Sequence, residues 1–239
     1  MPLKTTLVEC VRTGGQILLD HFGTNVNVRL KGEQSSVVTD ADLASECWIV
    51  QRIRERFPGH SILAEETGYV RRDSEFTWVI DPLDGTSNFA AGLPWFGVQI
   101  AVLQSNSPIL AAMFLPTTGV LYSAAKGQGI YRDDRRVQVS PETQLKNVLC
   151  AFGLDATPSP TRSRQQADWL TRVSNGVRNI RATNCLFDFC YTLDGRFGGA
   201  VNLNTKIWDI APFALMLSEA GGRLTDLTGT DLAFDLENE

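Results

Sequence analysis

The sequence predicts a mixed fold, in which an α+β first part precedes an α/β second part. Apolar runs rich in β-branched residues follow one another at short spacing between residues 61 and 139, which favours antiparallel pairing. From residue 147 onwards, strand-like and helix-like runs alternate, which is typical of α/β structure. Two helix-like segments come before both patterns. A chain of 239 residues with 43% hydrophobic residues can bury one sizeable core or two fused subdomains.

The elements of the first part are predicted from residue spacing. Leu3, Leu7, Val11 and Leu18 recur at helical intervals and predict a first helix. A polar connection over 23–36 precedes a second helix over 42–57. The strand-like runs that follow span 61–65, 76–81, 96–103, 109–115, 120–125 and 136–139.

The second part is predicted to alternate. A strand to residue 152, a helix around 165–174, a strand near 177–181, a helix over 185–193 and a strand at 200–203 precede a helix that follows Asp209 and a strand at 223–226. The Pro- and Ser-containing segment 155–161 indicates a loop. We divide the chain at about residue 145 into an α+β and an α/β subdomain of a single domain.

The stretch from Ile80 to Phe89 is the most informative motif. Asp81 and Asp84 stand three residues apart after an apolar strand, and Pro82 is expected to end the strand because it has no N–H to donate. Acids at the carboxyl end of a strand lie where open α/β sheets bind ligands. Gly85 and Thr86 can then open a helical turn as an anion site. The alternative is an Asx-rich turn without a ligand.

Three further places carry acids. Glu65 and Glu66 follow the apolar run 61–64, Asp209 precedes an apolar helical run, and Asp42 lies three residues after Thr39. Each has a structural alternative, namely a solvated rim for the Glu pair, a helix N-cap for Asp209, and a capping box for Asp42.

Taken together, these places resemble the inositol monophosphatase family of magnesium-dependent, lithium-sensitive phosphomonoesterases. The family signature combines an upstream Asp, a Glu-Glu pair, Asp-Pro-(Ile/Leu)-Asp-Gly-Thr and a late Trp-Asp. This chain has Asp42, Glu65-Glu66, Asp81 to Thr86 and Trp208-Asp209 in the same order. The resemblance covers most of the chain and implies a layered α-β-α-β-α sandwich of the sugar phosphatase type.

The resemblance also implies a metal site. Glu65, Asp81 and the carbonyl of Leu83 would bind a first Mg²⁺, and Asp81, Asp84 and Asp209 a second, with Glu66 assisting a weaker third site. Carboxylate and carbonyl oxygens suit Mg²⁺ or Mn²⁺. Zinc is not expected, because the chain has two histidines and neither falls within a motif.

The implied reaction is direct attack of a metal-activated water on phosphorus. Asp42 would accept a hydrogen bond from the Thr86 hydroxyl, which orients the water, while Glu66 positions ligands. The amides of Gly85 and Thr86 would hold the phosphate oxygens.

The alcohol part of the substrate is expected to meet Asn184, Leu186 and Asn202. Asn202 stands where many relatives have a Glu, and an amide cannot form the charge-assisted bonds of a carboxylate. We therefore expect altered selection for inositol and better tolerance of anionic leaving groups. The alternative is a permissive pocket in which these are neutral choices.

Inositol monophosphate is the first expected substrate. The alternative substrates are fructose 1,6-bisphosphate, histidinol phosphate and 3′-phosphoadenosine 5′-phosphate. The alternative to an enzyme is a non-catalytic regulatory protein that binds metal or a phosphosugar.

The net charge of −5 gives no reason to expect a nucleic acid partner. No apolar run suggests a membrane span or leader, and the chain ends earlier than family members usually do, before a further strand and helix. The resemblance also implies a homodimer. Absence of CxxC spacing indicates reduced core thiols in a cytoplasmic protein; the cysteines are Cys10, Cys47, Cys150, Cys185 and Cys190.

Overall fold

The computed structural model describes residues 2–24, 27–30, 37–234 and 236. The first part contains three helices and ten strands among these residues. They are α1 (Pro2–His21), β1 (Val28–Leu30), β2 (Val37–Thr39), α2 (Asp40–Arg56), β3 (Ser61–Ala64), β4 (Gly68–Val70), β5 (Phe76–Asp84), α3 (Thr86–Ala90), β6 (Gly97–Gln104), β7 (Ser107–Leu115), β8 (Val120–Ala125), β9 (Ile130–Arg132) and β10 (Arg135–Val137).

The second part begins with a single 3₁₀ turn and then alternates as predicted. The 3₁₀ turn spans Leu145–Asn147, and the elements after it are β11 (Leu149–Gly153), α4 (Pro160–Gly176), β12 (Asn179–Arg181), α5 (Leu186–Leu193), β13 (Gly199–Asn202) and α6 (Ile207–Glu219).

A large sheet of eight strands runs in the order β10-β9-β8-β7-β6-β5-β3-β4. The short connections produce antiparallel neighbours throughout, except that β3 and β5 pair in parallel. Side chains alternate across the sheet. In β5, Trp78 and Ile80 pack with α1 and α2, whereas Val79 packs on the opposite face with Ala211 of α6.

A small parallel sheet, in the order β12-β11-β13, forms the second β layer. Helix α5 contacts β11 and β13 on one side and β7 on the other, and α6 packs on β5, β6, β7 and β8. Helix α4 contacts β12. The layers are therefore α1 and α2, the large sheet, α5 and α6, the small sheet, and α4, which confirms the predicted α-β-α-β-α arrangement.

Strand β5 does not end at Pro82, so that expectation is wrong. The ladder with β6 shifts register between Asp81 and Asp84, and pairing resumes where Asp84 faces Gly97. A proline removes one donor, and the irregularity absorbs that loss. The same irregularity takes Asp81 and Asp84 out of simple alternation.

Other expectations also differ from the structure. Strand β1 lies within the predicted polar connection and pairs with β2, while residues 25, 26 and 31–36 of that connection lie outside the described residues. Segment 223–226 forms only an isolated bridge, between Thr225 and Asp231. All five cysteines are free, but Cys47 is exposed rather than in the core. Within the described residues, no helix has the length and apolar character needed to span a bilayer.

Candidate active site

A cleft of about 470 Å³ opens where the two sheets approach each other. Its walls come from the carboxyl ends of β3, β5, β11 and β13, and from the first turns of α3 and α6. This is the edge at which parallel strands of α/β folds present their ligands. Nine predicted site residues line it: Glu65, Asp81, Leu83, Asp84, Gly85, Thr86, Asn184, Asn202 and Asp209.

Four carboxylates concentrate negative charge in this cleft. Burial, followed by the charges of Glu65, Asp84 and Asp209, raises the pKa of Asp81 well above its usual value. Burial and the Asp209 charge raise the pKa of Asp84 in the same way. Burial raises the pKa of Asp209 to about 7, although the N–H of Lys206 opposes the shift. The site therefore favours bound protons or cations over four bare charges.

The four acidic side chains do not already form a complete metal-binding group. Across the described part of the chain, no three His, Cys, Asp or Glu side chains already form a metal-binding group. Asp209 Oδ2 instead accepts the Lys206 N–H at 2.7 Å. The N-cap of α6 is Lys206, so the alternative that Asp209 is only the N-cap residue does not hold; Asp209 lies in the first turn, where its side chain accepts the N–H of the N-cap residue.

Gln99 joins two of the acids and was not foreseen from the sequence. It lies opposite Asp81 in the β5–β6 ladder and is fully buried. Its Nε2 donates to Asp81 Oδ2 at 3.1 Å and to Asp84 Oδ2 at 3.3 Å, whereas its Oε1 has no hydrogen-bond partner among the residues that the structure describes. A donor that bridges two carboxylates fixes their relative orientation. The sequence signal was a polar residue inside an otherwise apolar strand.

Asp42 is not among the lining residues but reaches the cleft through Thr86. Thr86 Oγ1 lies 3.0 Å from Asp42 Oδ1 and 3.0 Å from the carbonyl oxygen of Leu83. Asp42 Oδ2 accepts from Thr39 N at 2.8 Å and from Thr39 Oγ1 at 2.5 Å. The predicted capping box is present, so Asp42 caps α2 and contacts Thr86 at once. Burial raises the Asp42 pKa to about 6, although the hydrogen bonds from Thr39 act in the opposite direction and lower it.

The turn after β3 is held by a buried residue of α2. Glu46 accepts from the backbone N–H of Glu66 and of Thr67, both at 2.8 Å. Its neighbour Ser45 donates to the Pro82 carbonyl at 3.0 Å. Glu66 itself does not line the cleft, whereas Glu65 does. Glu46 lies one helical turn after Asp42 on the same face of α2, and that spacing was the sequence signal for it.

The other wall of the cleft is rich in amides. Asn184 donates to Asp155 Oδ1 at 3.0 Å and accepts from the backbone N–H of Leu154. Asn202 Oδ1 accepts the N–H of Asn204. Leu186 is fully buried and does not line the cleft, but its backbone N–H donates to Asp84. Further lining residues that were not predicted include Asn88, Asp155, Arg162, Asn204, Lys206 and Trp208.

Comparison with known proteins agrees with this architecture. The profile of the inositol monophosphatase family matches residues 2–239. The chain is 33% identical to the putative Nus factor SuhB of Neisseria meningitidis serogroup B, over 96% of this chain and 89% of that protein. It is 34% identical to the fructose-1,6-bisphosphatase/inositol-1-monophosphatase of Aquifex aeolicus, over 89% and 81%.

A solved structure has the same fold. The crystal structure of the extragenic suppressor protein suhB from Bartonella henselae superposes with a TM-score of 0.91 at 31% identity, covering 97% of this chain and 90% of that one. Family profile, sequence identity and fold therefore agree along nearly the whole length. The chain belongs to the inositol monophosphatase family.

Proposed function

We propose that this protein is a Mg²⁺-dependent phosphomonoesterase that hydrolyses small phosphorylated alcohols, with inositol monophosphate as the first candidate. The observation that carries the proposal is the gathering of Glu65, Asp81, Asp84 and Asp209 in one cleft, where burial and mutual repulsion raise the pKa of the three aspartates. Residues far apart in sequence would not be kept in such a costly arrangement by packing alone.

The donor set fits a hard divalent cation. All four acids present oxygen, and Leu83, whose carbonyl oxygen lies 3.0 Å from Thr86 Oγ1, lines the same cleft. Oxygen-only sets suit Mg²⁺ and Mn²⁺ rather than Zn²⁺. Two divalent cations would offset four carboxylates, which removes the repulsion that raises the pKa values.

Each ligand has a proposed place. Glu65, Asp81 and the carbonyl of Leu83 would hold one ion, and Asp81, Asp84 and Asp209 the other, with Glu66 near a weaker third site. Bound cations would neutralise phosphate charge and make hydroxide accessible near neutral pH.

Protein groups of the cleft would orient the water and the phosphate. The Thr86 hydroxyl has one proton and two acceptors at 3.0 Å, Asp42 and the Leu83 carbonyl. When it donates to Asp42, its lone pairs remain able to accept from a water in the cleft. The N–H groups of Gly85 and Thr86 would bind phosphate oxygens as their charge changes.

The alcohol part of the substrate would face Asn184 and Asn202. These amides can donate hydrogen bonds to hydroxyl groups and accept hydrogen bonds from them, which supports a polyol as the alcohol part of the substrate. Sugar bisphosphates, histidinol phosphate and 3′-phosphoadenosine 5′-phosphate remain alternative substrates of the same reaction.

The test is phosphate release from inositol 1-phosphate, fructose 1,6-bisphosphate, histidinol phosphate and 3′-phosphoadenosine 5′-phosphate, with Mg²⁺ and with EDTA. We expect turnover that EDTA and Asp84→Asn both abolish. Asp134→Asn removes one charge at an exposed position outside the cleft and is the matched control. Turnover indifferent to EDTA and to Asp84→Asn would reject the proposal.

A second candidate is a regulatory role beside or instead of hydrolysis. The relative from Neisseria is named a putative Nus factor, and it matches 96% of this chain. A regulatory partner of other macromolecules fits that similarity. Absence of turnover on every ester, together with intact folding and Mg²⁺ binding, would favour this candidate.

A further inference from the structure

We infer that Ser45 and Glu46, two consecutive residues of α2, are positioning residues that hold the proposed ligands of the first ion through hydrogen bonds to the backbone. Those ligands are Glu65, Asp81 and the carbonyl of Leu83. The inference rests on the proposed function and adds two residues that do not themselves line the cleft. Affinity for a divalent cation should then depend on helix α2 as well as on the ligands.

The Glu46 carboxylate holds the turn that follows Glu65. It is buried, with 1% of the residue exposed. Its Oε2 accepts from the backbone N–H of Glu66 and its Oε1 from that of Thr67, both at 2.8 Å. Hydrogen bonds from backbone N–H groups to a carboxylate are short and strong. Glu46 therefore fixes the two peptide groups that come directly after a proposed ligand.

The Ser45 hydroxyl holds the irregular part of β5. Pro82 and Leu83 lie where the pairing with β6 shifts register, between Asp81 and Asp84. Ser45 Oγ donates to the Pro82 carbonyl at 3.0 Å, and both residues are buried. A buried carbonyl needs a hydrogen-bond partner. Here a side chain of α2 supplies that partner at the place where the strand is irregular.

The same peptide group carries a contact to Asp81. The carbonyl of Pro82 and the N–H of Leu83 belong to one planar unit. Its carbonyl accepts from Ser45, and its N–H donates to Asp81 Oδ1 at 3.1 Å. A plane held on both sides cannot rotate without breaking one of the two bonds. Ser45 therefore orients the Asp81 carboxylate and the start of Leu83, whose own carbonyl is the third proposed ligand.

Helix α1 leaves the Ser45 hydroxyl little room. The helices α1 and α2 pack on each other, and Gly14 of α1 and Ser45 are both buried. A Cβ at Gly14 would lie 2.9 Å from Ser45 Oγ and 2.9 Å from Ile49 Cδ1, so glycine allows this close approach. Close packing of this kind keeps a side chain in one rotamer. The contact between Ser45 and the Pro82 carbonyl is therefore fixed by the packing of two helices.

The two segments that α2 binds are neighbours in the large sheet. Strands β3 and β5 pair in parallel, and the N–H of Glu65 donates to the Ile80 carbonyl at 3.2 Å. Consecutive residues of one helix are rigidly spaced, with a rise of about 1.5 Å. Ser45 and Glu46 therefore set the separation of the two segments before a cation binds, against the repulsion between Glu65 and Asp81. Ligands held in advance bind more tightly, because binding does not have to order them.

Charge alone is the alternative explanation for Glu46, and two variants separate it from position. Glu46→Asp keeps the negative charge, but it shortens the side chain by one methylene and loses reach to the N–H groups of Glu66 and Thr67. Glu46→Gln keeps the length but replaces one acceptor oxygen with a donor. A role through charge predicts normal cation affinity in Glu46→Asp, whereas a positioning role predicts weaker binding in both variants.

The main measurement is calorimetric titration with Mn²⁺, which needs no turnover. We expect Glu46→Asp and Glu46→Gln to raise Kd by about 10- to 100-fold, the usual cost of losing a group that orients metal ligands. Ser45→Ala removes a single oxygen atom and should raise Kd about tenfold. Hydrogen exchange in EDTA gives a second reading, because the N–H groups of Glu66 and Thr67 should exchange faster once Glu46 no longer accepts from them.

Glu55→Gln and Ser61→Ala are the matched controls. Glu55 is exposed on the same helix and does not line the cleft. Ser61 is buried, and its hydroxyl donates to the Arg72 carbonyl at 3.2 Å, at the start of β3, whereas Glu65 follows the end of that strand. Ser61→Ala should lower thermal stability about as much as Ser45→Ala does, yet only Ser45→Ala should alter Kd.

Kinetics supply a reading that loss of stability would not change. In the Ser45 and Glu46 variants, the Mg²⁺ concentration that gives half the maximal rate should rise by the same factor as Kd. The value of kcat at saturating Mg²⁺ should largely recover, because a bound cation holds its ligands in place. A variant that is merely less folded would lose rate at every Mg²⁺ concentration, without a shift in the half-maximal one.

Normal Mn²⁺ affinity in Glu46→Asp would overturn the role of Glu46, and normal affinity in Ser45→Ala would overturn that of Ser45. If the Glu46 variants do not fold, Ser45→Ala decides the inference. If the unchanged protein binds no Mn²⁺, both this inference and the proposed function are rejected. Mn²⁺ binding without hydrolysis of any ester would reject the proposed function alone, and the titrations would still decide the inference.

Discussion

The hydroxyl of Thr86 lies 3.0 Å from the carboxylate of Asp42, although 44 residues separate them in sequence. Asp42 is itself anchored by the N–H and the hydroxyl of Thr39, so the buried Thr39 and Asp42 and the half-buried Thr86 form one chain of hydrogen bonds. Because the cap of α2 supplies this carboxylate, helix stability and the orientation of Thr86 depend on the same group.

Replacing Thr86 with Val should remove the group proposed to orient water. We expect kcat to fall by about 10²- to 10⁴-fold, the usual contribution of a positioned proton-transfer group. Affinity for Mg²⁺ should change little, because the Leu83 carbonyl and the acids remain. Steady-state kinetics and a calorimetric Mg²⁺ titration measure the two effects.

Asp42→Asn should reproduce the loss of kcat, whereas Asp40→Asn should not. Asp40 lies two residues earlier in the same helix turn, but it is partly exposed and pairs with Arg29 at the surface. Equal kinetics for Thr86→Val and the unchanged protein would contradict the proposed role of the pair.

The metal-free protein should lose stability as the pH rises from about 5.5 to 8. A carboxyl whose pKa is raised in the folded state binds more protons folded than unfolded, so its contribution is present at low pH and is lost as pH rises through the folded pKa. Burial raises the pKa of Asp42 to about 6 and of Asp209 to about 7, and raises those of Asp81 and Asp84 as well.

Unfolding in EDTA at several pH values measures this loss. His60 acts in the opposite direction, because burial lowers its pKa and its charged form is disfavoured in the folded state. Saturating Mg²⁺ should flatten the slope, since cations replace protons at the acids. A metal-free protein whose stability rises steadily with pH over this range would refute the proposed charge cluster.

The sequence predicted the parts of the site that are local in the chain. Asp81 and Asp84 lie in the last part of β5 and Thr86 begins α3, so their proximity needs only the end of that strand and the start of the helix after it. Gln99 and Glu46 escaped prediction because the fold, and not the motif, brings them to the site. Gln99 faces Asp81 only because of the β5–β6 register, and Glu46 of α2 contacts the turn at Glu66 only because that helix packs beside the turn.

Long-range packing also explains the misjudged elements. Pro82 suggested the end of a strand, yet the ladder resumes at Asp84 because β6 continues alongside. Leu186 was predicted to meet substrate, but the α5 start is packed in the core, and only its N–H reaches Asp84. The cleft wall with Arg162 and Lys206 depends on how α4 packs on β12 and α6 packs on the large sheet, which no local pattern specifies.

Gln99→Leu should weaken divalent binding by about 10- to 100-fold, the usual cost of losing a group that orients metal ligands. The change keeps side-chain volume approximately but removes the donor to Asp81 and Asp84. Calorimetry with Mn²⁺ measures the affinity. Gln104→Leu, at the end of the same strand and bonded to Glu75 at the surface, is the control. Unchanged Mn²⁺ affinity in Gln99→Leu would show that Asp81 and Asp84 keep their orientation without the Gln99 amide.

Gly85→Ala should destabilise the protein more than Gly92→Ala does. Both glycines have positive φ, 92° and 74°, so both alanines carry backbone strain of about 1–2 kcal/mol. They differ in space, since a Cβ at Gly85 would lie 2.6 Å from the Trp95 carbonyl oxygen, whereas a Cβ at Gly92 would meet no atom of the described residues within 4 Å. Urea denaturation measures how much each alanine lowers the free energy of unfolding. The difference between the two losses therefore gives the cost of the contact between the added Cβ at position 85 and the Trp95 carbonyl oxygen.

We expect that difference to be at least about 1 kcal/mol, because the clash is with backbone and cannot be relieved by a rotamer change. Gly85 directly follows Asp84 and precedes Thr86, so a shift that relieves the clash also moves a proposed ligand and the proposed water-orienting hydroxyl. Gly85→Ala should then lower Mg²⁺ affinity as well as stability, whereas Gly92→Ala should lower stability alone. Equal costs at the two positions would mean that the turn after Asp84 has room to move, and would contradict a rigid placement of Thr86 against Asp42, on which its proposed role depends.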